Sequence, residues 1–157
     1  MAYDLQVNSL EKQWMPFTDN RGFKSDPRLV TEAKGVYMTS HRGTNVIDGS
    51  SGLFCCPAGH CHPKIIEAVH EQLKLNTYTA PFGLAHPASF ALADSVAQLT
   101  PTGMNHVFFV NSGSEAIDTA LKIVMSYHSA KGDNRHRFVS RERAYHGVNI
   151  GGVSLSG

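Results

Sequence analysis

Residues 107–122 read VFFVNSGSEAIDTALK. An apolar run, Val107-Phe108-Phe109-Val110, breaks at Asn111-Ser112-Gly113-Ser114 and passes straight into a helical pattern. The first N–H groups of a helix have no partner within it, and the helix dipole makes that end positive. Such a corner is an anion site, and the ligand that suits it is a phosphate ester. Gly113 lets the backbone come close, and the Ser112 and Ser114 hydroxyls add donors. No Lys-Ser or Lys-Thr follows the glycine and no G-x-G-x-x-G occurs, so the nucleoside-triphosphate loop and the dinucleotide fingerprint are both absent. A bare Ser-Gly-Ser is also a common structural turn.

A second corner, Tyr145-His146-Gly147, follows the short apolar pair Phe138-Val139. In a parallel sheet, successive turns at the carboxyl ends of strands converge on one crevice. An aromatic there could stack on a flat cofactor whose phosphate sits at the first corner. Standing alone, Tyr145 reads equally as a tyrosine at the edge of a core.

Two other constellations fail on spacing. Cys55, Cys56, His60, Cys61 and His62 are dense enough to suggest zinc, but adjacent cysteines chelate one tetrahedral ion poorly and no second separated pair exists. They read as small, buried thiols beneath a loop, and no metal is expected. Ser114 lies in no G-x-S-x-G elbow, which argues against serine hydrolysis.

The elements that must place these residues follow from periodicity. Residues 1–30 are polar with scattered aromatics and read as an irregular arm whose cluster Trp14-Met15-Pro16-Phe17 needs an apolar partner. Two short strands, 35–39 and 46–48, flank a glycine turn and predict a hairpin. Gly49-Ser50-Ser51-Gly52 is the expected junction between a first domain, 1–50, and a second, 51–157. His62-Pro63 opens a helix with Ile65, Ile66, Val69 and Leu73 on its buried stripe, and His86-Pro87 opens another. After the strand at 107–110, a helix carries Ile117, Ala120, Leu121, Val124 and Met125 on one face and closes at Lys131-Gly132. Strand, helix, strand predicts an α/β fold with a parallel sheet.

Composition narrows the class. The 157 residues fit about one domain, and 41% hydrophobic residues suffice for a core. A net charge of +1 gives no general attraction to nucleic acid or anionic membranes. The basic run Arg135, His136, Arg137, Arg141 and Arg143 reads as a solvated or subunit-facing edge. The first ten residues lack a signal-peptide pattern, no apolar stretch approaches the ~20 residues of a membrane span, and three cysteines suggest no disulfide framework. The expectation is a cytoplasmic protein that binds neither nucleic acid nor membrane.

The motifs do not stand alone. Gly35, Tyr37, Gly43, Ile47-Asp48, Gly52, Gly59-His60, Pro63, His86-Pro87, Asn111-Ser112-Gly113-Ser114-Glu115-Ala116, Ala120, Lys122 and Tyr145-His146-Gly147 occur in an order and spacing that resembles the class III aminotransferases. Those are pyridoxal-phosphate enzymes of fold type I. Trp14-Met15-Pro16-Phe17-Thr18 and Ile117-Asp118-Thr119 look most like the ω-amino acid:pyruvate (β-alanine:pyruvate) branch.

The resemblance implies the N-terminal part of such a fold: arm and hairpin of the small domain, then the first portion of the large sheet domain. It implies that Ser112, Gly113 and Ser114 bind the phosphate of pyridoxal 5'-phosphate, that Tyr145 stacks on its ring with His146 beside it, and that Phe17, Phe54 and Phe82 shape the substrate pocket. It implies a homodimer, with residues 14–17 packed across the interface, acting on an amino donor and pyruvate. The Schiff-base lysine of the family lies downstream of the tyrosine motif, and none of the lysines here matches it. No catalytic residue is therefore expected within these residues, and the chain alone is expected to be inactive. The alternatives are another class III member, of ornithine or diamino-acid type, or a non-catalytic fragment that binds a complementary chain.

Overall fold

The computed structural model describes residues 10–157. The residues before them, where the signal-peptide pattern was sought, lie outside the described part. The chain divides into two compact units, Met1–Ala80 and Pro81–Gly157. Residues 49–52 lie within the first unit.

The first unit opens with an arm held by Asn20. The Asn20 side chain accepts from the Met15 N–H at 2.9 Å and donates back to the Met15 carbonyl at 2.9 Å. Helix α1 (Asn20–Ser25) follows, with the Asp19 side chain accepting from the Gly22 N–H at its start. Strands β1 (Val30–Lys34), β2 (Tyr37–Ser40) and β3 (Asn45–Ile47) form an antiparallel sheet in the order β1-β2-β3. The expected hairpin is β2–β3, with Tyr37 opposite Ile47 and Thr39 opposite Asn45. Helix α1 lies where an irregular arm is expected, and strand β1 starts at the arm's last residue, Val30. Strand β1 shows one intermediate position among exposed ones, so no alternation marks it; its pairing with β2 creates it. Helix α2 (Pro63–Leu75) begins at the expected His62-Pro63.

The second unit contains α3 (Pro87–Ala97), α4 (Gly113–Ala130) and α5 (Ile150–Leu155). Helix α3 starts where the His86-Pro87 signal places it, and the His86 ring accepts from the Ala88 N–H. Helix α4 ends at Lys131, and Gly132 follows with φ +75°. Residues 107–110 and 138–139, expected as parallel strands, form no ladder among the described residues. A strand exists only through hydrogen bonds to a neighbour, and neither segment has one here.

Cys55 and Cys61, expected as buried thiols, are exposed because no apolar layer covers their loop among the described residues. No hydrophobic residue among those described is buried. The α2 stripe of Ile65, Ile66, Val69 and Leu73 stays about half exposed, at 52–53%. On α4, Ile117 and Leu121 are half-buried, while Val124 and Met125 are exposed. The helices thus carry amphipathic patterns whose apolar faces are uncovered among the described residues. The buried polar side chains among the described residues are Asp48 and Ser114, and each ties a turn to the rest of its unit.

Candidate functional site

The second unit brings the two predicted corners together. Ser112 caps α4 in extended geometry, its Oγ accepting from the Glu115 N–H at 3.1 Å. Glu115 turns back and accepts from the Asn111 N–H at 2.7 Å, so the S-x-x-E pattern acts as a form of capping box. The Ala116 N–H goes to the Ser112 carbonyl. Among the described residues, nothing accepts from the N–H groups of Gly113 and Ser114. A β-carbon at Gly113 would meet nothing within 4 Å, so the mouth of the corner is open.

Ser114 is buried, and its Oγ accepts from the Val148 N–H at 2.9 Å, across 34 residues of chain. One helical turn on, Asp118 Oδ1 accepts from the Gly152 N–H at 3.0 Å, again across 34 residues. Close packing supports both bonds. A β-carbon at Gly147 (φ +120°) would lie 2.9 Å from Ser114 Cα and Oγ, and one at Gly152 would lie 2.5 Å from the His146 carbonyl oxygen. The Tyr145-His146-Gly147 turn can seat on the α4 corner only because those positions carry no side chain.

Tyr145 is 69% exposed. The His146 N–H donates to Ser156 Oγ at 3.2 Å, while its buried Nε2 finds no partner. The corner therefore offers two unpaired backbone N–H groups at the positive end of an 18-residue helix, an exposed aromatic and an unsatisfied imidazole nitrogen. That donor set suits an aromatic ring bearing a phosphate.

A family model for aminotransferase class III matches residues 20–157. The chain belongs to the class III aminotransferases. The omega-aminotransferase of Caulobacter vibrioides is 46% identical over 155 residues, covering 98% of this chain and 35% of that protein. The omega-amino acid--pyruvate aminotransferase of Pseudomonas putida is 46% identical over 149 residues, 94% of this chain and 33% of that protein. The crystal structure of the omega transaminase of Pseudomonas jessenii in complex with PMP superposes with a TM-score of 0.87 at 31% identity, covering 92% of this chain and 33% of that one. The fold expected from the sequence is that of these transaminases. This class III chain spans about a third of the length of the relatives it matches.

The pocket aromatics expected in this class III chain are all exposed: Phe17 at 86%, Phe54 at 84% and Phe82 at 89%. Phe17 and Phe54 belong to the first unit and Phe82 to the second. Phe54 ends a run of left-handed residues, Ser51 (φ +53°), Gly52 (+59°), Leu53 (+54°) and Phe54 (+72°). Such a conformation costs an L-residue roughly 1–2 kcal/mol, so something must hold it.

The holding group is Asp48. Its Oδ1 accepts from the Ser50 N–H at 3.0 Å and the Ser50 hydroxyl at 2.8 Å. Its Oδ2 accepts from the Gly52 N–H at 2.6 Å and from His60 Nε2 at 2.7 Å. The His60 bond, then those of Ser50 and Gly52, keep the Asp48 carboxyl well below the usual carboxylate range. His60, which belonged to the zinc pattern, is an aspartate partner. The signal that could have found this cluster is Asp48-x-Ser50-x-Gly52, an Asx-turn pattern running into a glycine.

Proposed function

We propose that these residues form the phosphate corner and part of the donor pocket of a pyridoxal-phosphate-dependent transaminase that moves an amino group from an ω-amino acid or primary amine to pyruvate. The observation that carries this reading is the 2.9 Å bond from the Val148 N–H to Ser114 Oγ, which sets the tyrosine turn against the open start of α4. The Gly113 and Ser114 N–H groups hold the phosphate, and the Ser112 and Ser114 hydroxyls each keep a proton to donate to it. Tyr145 covers one face of the ring, and His146 Nε2 gains there the partner it lacks among the described residues. The family resemblance assigns Phe17, Phe54 and Phe82 to the donor pocket of the complete enzyme. Pyridoxal phosphate, once bound, supplies the electron-withdrawing ring and the carbonyl carbon that accepts the amino group.

The similarity to an omega-amino acid--pyruvate aminotransferase supports this donor class and acceptor. The exposed aromatics at 14 and 17 support an arm that packs across a homodimer interface. Residues 1–50 are assigned to the small domain and 51–157 to the start of the large one. A cytoplasmic location is part of the proposal; among the described residues no helix is long and apolar enough to cross a membrane.

The test uses the full-length protein that carries this segment. Incubated with pyridoxal phosphate, β-alanine and pyruvate, it should form alanine. Ser114→Ala should weaken pyridoxal-phosphate affinity by roughly 10–100-fold, the worth of one hydrogen bond to a charged group. Full activity with unchanged cofactor affinity in that variant would remove Ser114 from the site.

A further inference from the structure

We infer that Asp48 and His60 are positioning residues for the donor pocket: their clasp holds the left-handed turn at 51–54 and thereby fixes Phe54. This rests on the reading of Phe54 as a pocket aromatic. Four consecutive residues, Ser51 to Phe54, have φ between +53° and +72°, and only one of them is glycine. A turn of that hand does not persist by itself. Within it, the Phe54 N–H reaches the Ser50 carbonyl at 3.0 Å and the Cys56 N–H reaches the Ser51 carbonyl at 2.8 Å. Its leading donors, the Ser50 and Gly52 N–H groups, both end on the Asp48 carboxylate. Asp48 is thus a cap for a left-handed turn, as an aspartate caps a right-handed helix.

The clasp is anchored to the sheet on both sides. The Asp48 N–H donates to the Val36 carbonyl at 2.8 Å. The backbone of His60 exchanges two bonds with Gly35, at 2.9 and 2.8 Å, in the turn that joins β1 to β2. A β-carbon on Gly52 would lie 3.6 Å from His60 Cε1, so the imidazole packs against the turn it supports. The position of Phe54 is therefore referred to the hairpin through a buried carboxylate, although Phe54 itself is exposed. Strained backbone kept in place by an over-determined surrounding is characteristic of sites where one geometry matters. Here that geometry is the place of one ring in the pocket wall, which decides how large a donor fits.

The experiment compares β-alanine with benzylamine as donors for the full-length enzyme. Phe54→Ala should shift the ratio of their kcat/KM values by roughly tenfold, the scale set by filling or emptying an apolar pocket. Asp48→Asn should shift the ratio in the same direction by about threefold or more. It should add nothing further in the Phe54→Ala background, because both changes act through the same ring. Pyridoxal-phosphate affinity, read from the cofactor absorbance, should stay within about twofold of wild type. Ser51→Gly in the Asp48→Asn background should restore the ratio, since glycine adopts the left-handed conformation without a clasp. If Asp48→Asn does not fold, His60→Ala, which removes the imidazole bond to Asp48 and leaves the Ser50 and Gly52 bonds, should give the same shift. A ratio moved by Phe54→Ala but by neither Asp48→Asn nor His60→Ala overturns the clasp. Additive effects of Asp48→Asn and Phe54→Ala overturn it also. A ratio unmoved by Phe54→Ala overturns the pocket reading, and this inference with it.

Discussion

At Gly147 a methyl group has nowhere to go. The added carbon would sit 2.9 Å from two atoms of Ser114, on a backbone with φ +120°. Gly113, thirty-four positions earlier, has open space around it and an ordinary φ. The two glycines should therefore respond differently to alanine in the full-length protein. Gly147→Ala should lower stability by ~1–3 kcal/mol and weaken cofactor binding with it. Gly113→Ala should leave stability within ~0.5 kcal/mol, yet weaken cofactor binding through the loss of close approach. Urea midpoints with a parallel pyridoxal-phosphate titration separate the outcomes, and equal stability losses would refute the distinction. The corner at Ser112, Gly113 and Ser114 was legible as a helix start because a glycine-serine turn between an apolar run and a helical pattern is a local signal. Asp48 was not, because its partners Ser50, Gly52 and His60 meet only once the loop has folded back.

Among the elements, helices α2, α3 and α4 and the β2–β3 hairpin followed from local signals, whereas α1 and β1 did not. Proline at the start of α2 and α3 and glycine after α4 are local signals, and the observed ends fall on them. Strand β1 and the segments 107–110 and 138–139 depend on partners elsewhere in sequence. The first found one in β2, and the other two found none within the described residues. The left-handed turn at 51–54 should be the acid-sensitive element. Its Asp48 carboxyl binds a proton more weakly when folded than when unfolded. The stabilisation is therefore complete above about pH 4 and is lost as the pH falls through the lowered folded value. Stability of the full-length protein followed by fluorescence from pH 5 downward should show this loss, and Asp48→Asn should lack that component. An identical acid limb in the variant would place the loss elsewhere.

For the molecule as a whole, the uncovered apolar faces matter most. The stripe on α2, Phe108 and Phe109 before α4, and Trp14 on the arm are all exposed at 47% or more. Patches of this kind bind something or cause association. Expressed as these 157 residues alone, the chain should self-associate, seen as early elution in size-exclusion chromatography, and should bind the dye ANS. It should also form no alanine from an ω-amine and pyruvate above a boiled control, since no lysine here matches the family's Schiff-base position. A monodisperse or active preparation would contradict this.

The two bonds that join α4 to the returning turn have a further consequence. Ser114 meets Val148 and Asp118 meets Gly152, so both partners advance by one helical turn in step. A one-residue slip on either side would break both bonds together, so the alignment is all-or-none. The excursion from 131 to 143 lies between these fastened ends. A single insertion within 114–118 or 148–152 should therefore undo the corner.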